Sequence, residues 1–164
     1  MKEEPTFGDN QGVMTEPHSL TTDMLLRVHK AISNAQGWLP FDQFMAMALY
    51  EPGLGYYANQ QPKFGSMPQS GSDFVTAPEL SPLFGAALAK QVAEALAATG
   101  TDEVWEFGAG SGALAHQLLS ELNRLGCEIK RYNIMDVSST LKARQQSLLA
   151  EFGEQVTWLS RWPE

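Results

Sequence analysis

Gly108, Gly110 and Gly112 alternate with single residues between the apolar run "EVWEF" and the helix-forming run "ALAHQLLSELNRLG". Glycine tolerates positive φ and lets a ligand reach bare backbone, and the first N–H groups of a helix have no partner inside it. A strand that ends on such a turn and passes straight into a helix belongs at the carboxyl end of a strand in an α/β sheet, where ligands bind. The next segments keep the rhythm. "RYNIMDV" reads as a second strand, "SSTLKARQQSLLAEFG" as a helix capped by Ser138 or Ser139 and stopped by Gly153, and "VTWL" as a third strand. The order from residue 103 onward is β-α-β-α-β, the signature of a parallel sheet wound with right-handed crossovers.

Upstream the chain divides by texture. Residues 1–20 are polar and are expected to be a flexible tail. Residues 21–99 are expected to hold N-terminal helices and a loop over the site, and residues 100–164 the first part of a Rossmann-like cofactor-binding domain. "TTDMLLRVHKAISNAQG" carries an apolar helical stripe, with Thr22 or Asp23 as cap and Gly37 as stop. In "LPFDQFMAMALY", Phe41, Phe44, Met45 and Leu49 recur at three- and four-residue steps and read as a core-facing stripe. Glu51 to Glu79 is rich in glycine and proline and reads as a long loop. Its Tyr56, Tyr57, Phe64 and Phe74 suit either a cover for a ligand or a packed surface loop. "SPLFGAALAKQVAEALAATG" is the clearest helix. Ser81 and Pro82 open it, Gly100 closes it, and Leu83, Leu88, Val92 and Leu96 form the expected buried stripe.

Charge narrows the partners. With 19 acids against 11 bases the net charge is −8, which argues against a nucleic-acid surface or an anionic membrane surface. No apolar run approaches the eighteen or so residues of a membrane span, and the polar start "MKEEPTFGDN" has no secretory character. The single cysteine, Cys127, points to a reducing, cytoplasmic setting. His18, His29 and His116 share no metal-ligand spacing with it, so no metal is expected.

The glycine turn satisfies the loose Gly-x-Gly-x-x-Ala dinucleotide pattern over Gly108, Gly110 and Ala113. Asp136 ends the next strand, 24 residues after Gly112, where an acid can accept hydrogen bonds from two ribose hydroxyls. Glu106 decides between adenosine ligands. A carboxylate two residues before the first glycine repels a pyrophosphate but suits an ammonium or sulfonium. The charge pattern therefore favours S-adenosylmethionine over NAD.

The run Glu106-Phe-Gly108-Ala-Gly110-Ser-Gly112 resembles the first motif of class I methyltransferases, and the chain more specifically resembles the MidA family. "FMAMALYEPGLGYY", "SDFVTAPELSPLFG", "YNIMDVSSTLKARQQ" and "VTWLSRWPE" match family segments in order, covering about residues 20–164. Ser72 stands where the family pattern expects glycine, and Asp136 where glutamate is commoner. The resemblance implies a partial Rossmann-like α/β methyltransferase fold, strands one to three with flanking helices, preceded by a helical region. It implies that Gly108, Gly110 and Gly112 floor the methionine end of S-adenosylmethionine, Glu106 meets its amino group and Asp136 its ribose. Asp73, Thr76, Pro78 and Glu79 would lie in the loop closing over it. It also implies a protein arginine as methyl acceptor, since the mitochondrial member of the family is a protein arginine methyltransferase that assists respiratory complex I assembly.

Class I methyltransferases order seven strands 3-2-1-4-5-7-6, and this chain supplies the first three. It is expected to be an N-terminal fragment or shortened relative, inactive alone, with no catalytic residue assignable. Its first strand would have an open edge, which predicts a homo-oligomer through that edge or cover from the same chain. Two other functions remain open at this level: a non-catalytic S-adenosylmethionine-binding or assembly module, and a dinucleotide-binding protein.

Overall fold

The structure, a computed structural model, describes residues 19–59 and 75–161. The tail reading of residues 1–18, and Phe64, Ser72, Asp73 and Phe74 of the long loop, lie outside the described residues. The elements are α1 (Leu20–Asn34), α2 (Phe41–Tyr50), α3 (Ala77–Leu80), α4 (Leu83–Thr99), β1 (Glu103–Phe107), α5 (Ala113–Arg124), β2 (Arg131–Met135), α6 (Ser139–Leu148) and β3 (Val156–Leu159). The sheet is parallel with spatial order β1-β2-β3. Because the sheet winds in one direction, right-handed crossovers place α5 and α6 on the same face. This is the mixed α/β arrangement expected from the β-α-β-α-β pattern.

The core lies between that face and the helices. Tyr132 and Ile134, two apart on β2 and so on one side of the sheet, are fully buried with Leu119 and Leu122 of α5, Ala89 of α4 and Leu149 beyond α6. The register pairs Val104 with Tyr132 and Glu106 with Ile134, so Glu106 enters the sheet beside core residues. α4 crosses α5 at close range. A Cβ on Gly85 would sit 2.3 Å from Cβ of Gln117, a separation that only glycine permits.

Several local expectations change. Ser19, not Thr22 or Asp23, caps α1: its hydroxyl accepts the Thr22 N–H at 3.2 Å. The last stretch of the long loop, read as irregular, folds as the single helical turn α3. α6 ends at Leu148, and a 3₁₀ segment, Ala150–Gln155, carries the chain past Gly153. Leu83 is 75% exposed, and the buried residues of α4 are Gly85, Ala89 and Leu96. The close crossing at Gly85 brings the glycine face, rather than the Leu83 face, onto α5. The stripe of α2 is not core among the described residues: Phe41 is 72% exposed, because α2 meets little but α1 there. β1 is half-buried rather than buried, since among the described residues it pairs on one side only.

Candidate functional site

All three glycines of the turn after β1 have positive φ: 67° at Gly108, 57° at Gly110 and 91° at Gly112. Side chains with a Cβ pay about 1–2 kcal/mol to adopt that region, so three such positions in five residues account for the glycine spacing. The turn is pinned to the sheet by the Gly108 N–H, which donates to the Met135 carbonyl at 2.9 Å. Gly112 offers no side-chain cap to α5. The Ser111 hydroxyl serves instead, accepting the Ala113 N–H at 3.3 Å and donating to the Glu79 carboxylate.

Both residues of that last bond line a half-open cavity of about 330 Å³. Thr76, Pro78 and Glu79 form one wall and Glu106, Gly108 and Gly110 the other. Six residues expected at the site from sequence thus share one space, at the small end of the range of about 300–1,000 Å³ usual for ligand pockets. The two carboxylates favour a cation over an anion.

Gly112 and Asp136 stand outside the lining. Gly112 is buried and faces α6, where an added Cβ would meet Cγ of Gln145 at 3.4 Å. Asp136 is half-buried past the end of β2, and both its oxygens already accept: Oδ1 from the Ser138 N–H at 2.9 Å, Oδ2 from Nε2 of Gln145 at 2.8 Å. Each oxygen keeps a further lone pair, enough for one ribose hydroxyl apiece. Asp73 lies outside the described residues.

Sequence reasoning passed over three side chains that build the site. Gln145 joins the glycine turn to Asp136, since its Nε2 also donates to the Gly110 carbonyl at 2.9 Å. The available signal was spacing: Gln145 falls four residues after the buried Leu141, on the core side of α6. Gln117 holds the cover. Its Nε2 donates to the Pro78 carbonyl at 2.7 Å and its Oε1 accepts the Gly85 N–H at 3.0 Å. Tyr132, fully buried, donates its hydroxyl to Oε2 of Glu106 at 2.8 Å.

Burial pushes the Glu106 carboxyl above the usual carboxylate range. The Tyr132 hydrogen bond pulls it partly back, and the charge of Asp136 adds to the rise. Burial, then the neighbouring Glu106, holds the Tyr132 hydroxyl protonated well beyond its ordinary range. A raised acid binds more protons folded than unfolded. Its contribution is therefore fully favourable below the unfolded value of 4.5 and is lost as pH climbs through the raised value. Tyr132→Phe is expected to move the Glu106 titration midpoint further up, read by the carboxyl carbon shift in NMR. A midpoint that stays put or falls would show that the phenol does not hold the carboxylate.

The N-terminal region reaches the same end of the sheet. The Ser138 hydroxyl donates to the Tyr57 carbonyl at 2.6 Å, and that of Thr140 to the Ala58 carbonyl at 3.2 Å. Tyr50 stacks on Tyr57, with ring centroids 5.8 Å apart. Among the described residues no three His, Cys, Asp or Glu side chains gather into a metal site, and no helix is long and apolar enough to cross a membrane.

Residues 87–164 match the family model described as "Putative S-adenosyl-L-methionine-dependent methyltransferase". The chain is similar to the mitochondrial protein arginine methyltransferase NDUFAF7 of Mus musculus, 30% identical over 116 residues, which are 66% of this chain and 26% of the mouse protein. The Bos taurus protein of the same name is also 30% identical, over 66% of this chain and 25% of its own. A Burkholderia thailandensis structure with S-adenosyl-homocysteine bound superposes with TM-score 0.79 at 46% identity, over 88% of this chain and 38% of the other. A second structure of a protein from that organism gives TM-score 0.71 at 43% identity, over 88% and 36%. The chain spans about a quarter of the length of the mammalian relatives it matches.

Proposed function

We propose that this chain, whose residues 87–164 match the S-adenosyl-L-methionine-dependent methyltransferase family model, binds S-adenosylmethionine in the cavity at the glycine turn. The observation that carries this reading is the Glu106 carboxylate in the same cavity as Gly108 and Gly110. The residues suit that group: a carboxylate for its ammonium, a turn that admits close approach, and an acid with spare lone pairs at the next strand for its ribose. When bound, S-adenosylmethionine supplies a methyl group carried on a sulfonium. The chain's own part is to orient and shield. Glu106, steadied by Tyr132, would take the amino end, and Asp136 the ribose diol. Glu79, tied to Ser111, would hold α3 over the turn. The mammalian relatives are named as protein arginine methyltransferases, which supports a protein guanidinium nitrogen as the acceptor.

Calorimetric titration with S-adenosylmethionine and with NAD tests the reading. Saturable binding of the first and silence for the second are expected. Glu106→Gln should weaken S-adenosylmethionine by roughly tenfold or more, the worth of a hydrogen bond to a charged group. NAD binding that Glu106→Gln strengthens would instead mark a dinucleotide site.

Among the described residues β1 pairs only with β2, and Phe107 at its end is 56% exposed. A strand edge with no strand partner among the described residues is a template for a further strand. This supports an assembly of copies of this chain through β1. Light scattering should then give a multiple of 18.0 kDa, and a clean single-chain mass rejects the assembly.

A further inference from the structure

Gln145 is fully buried on α6. Its Nε2 donates to the Gly110 carbonyl at 2.9 Å and to Oδ2 of Asp136 at 2.8 Å, and its Oε1 accepts Nε1–H of Trp158 in β3 at 3.1 Å. The amide has two N–H donors, and both are spent on the loops that follow two adjacent strands. Its stem packs against Gly112, leaving 3.4 Å from Cγ to where a Cβ would stand. An amide buried without partners costs several kcal/mol, so the side chain is stable there only while both loops keep their places. The two N–H bonds diverge at a fixed angle in one plane. That makes the spacing between the Gly110 carbonyl and the Asp136 carboxylate a property of one side chain. Ser138 holds Oδ1 from the other side at 2.9 Å, so the carboxylate cannot rotate freely.

We infer that Gln145 is a positioning residue for the cofactor: it sets the distance and angle between the glycine turn and Asp136, so that one ligand is met at both its amino-acid end and its ribose. The inference rests on the proposed S-adenosylmethionine site, which it extends to a residue that need not touch the ligand. Trp158 fixes the amide from behind and thereby couples β3 to the same geometry.

Binding of S-adenosylhomocysteine and of its 2′-deoxy analogue to the full chain separates positioning from plain packing. In the unsubstituted protein the missing hydroxyl is expected to cost about tenfold in affinity, the worth of a hydrogen bond to an ionised carboxylate. In Gln145→Met, which keeps length and bulk but no donor, overall affinity should fall and the ratio between the two ligands should drop toward one. A folded Gln145→Met protein that keeps the original ratio overturns the inference, because a merely structural residue weakens both ligands alike. Should Gln145→Met not fold, Trp158→Phe, which removes the N–H behind the amide together with part of the ring, should lower the ratio two- to threefold; an unchanged ratio overturns the inference equally. Hydrogen exchange on the ligand-free chain is an independent readout. Faster exchange at 108–112 together with 136–138, and not in α4, is expected in either variant. Should the unsubstituted protein bind neither ligand, the functional reading falls, and the exchange result alone then upholds or removes the tie.

Discussion

Alanine at Gly85 is expected to lower stability by about 3 kcal/mol, which for a chain of 164 residues is a fall of about 6–12 °C in Tm. The new methyl would lie 2.3 Å from Cβ and 2.6 Å from Oε1 of Gln117. Cβ is anchored to the α5 backbone and cannot swing aside, so α4 and α5 must part. Parting them also breaks the bond from the Gly85 N–H to Gln117 and loosens that side chain's hold on Pro78. The damage therefore reaches the wall of the cavity. Gly108→Ala is the comparison: its φ is 67°, but among the described residues no atom beyond its chain neighbours lies within 4 Å of the new methyl, so it should cost only about 1–2 kcal/mol of backbone strain. Thermal unfolding followed by circular dichroism checks both, and a Gly85→Ala shift no larger than that of Gly108→Ala would show that the helices separate freely there.

Loss of the Asp136 carboxylate should have the largest effect on binding. Asp136→Ala removes, on the proposed reading, two hydrogen bonds from ribose hydroxyls to an ionised acceptor. It also leaves the Ser138 N–H and one N–H of Gln145 without their acceptor. Together these should weaken S-adenosylmethionine by about 3 kcal/mol, roughly a hundredfold in affinity. Asp136→Asn keeps one acceptor oxygen and should lose less. Calorimetric titration reads both, and an Asp136→Ala protein that binds within threefold of the original would remove Asp136 from the ribose role.

Much of this architecture was legible because its determinants are local. The glycine spacing reports three positive φ values, Ser138 caps α6 as a serine before a helix should, and two strand–helix alternations imply a parallel sheet. Six of the residues named for the site meet in one cavity because the turn and α3 each carry theirs within a few positions. What stayed hidden depends on partners far away in the chain. Leu83 and Phe41 fit apolar stripes, but which face of a helix is covered is settled by the helix it meets. The same holds for Gln117 and Gln145. A buried glutamine looks like any polar residue until hydrogen-bond partners as far as 39 residues away come into place.

The bonds from Ser138 and Thr140 to the carbonyls of Tyr57 and Ala58 have a kinetic meaning. They close a loop of some eighty residues with two hydroxyls, whereas the sheet closes through continuous ladders over shorter spans. Contacts of that separation carry a larger closure entropy and form late. The helical N-terminal region is therefore expected to dock after the sheet has formed, which pulsed hydrogen exchange would read as protection appearing in β1–β3 before α1. Its hold is attached to the loop that carries Asp136. Whatever stiffens that loop should therefore also slow the release of residues 19–59.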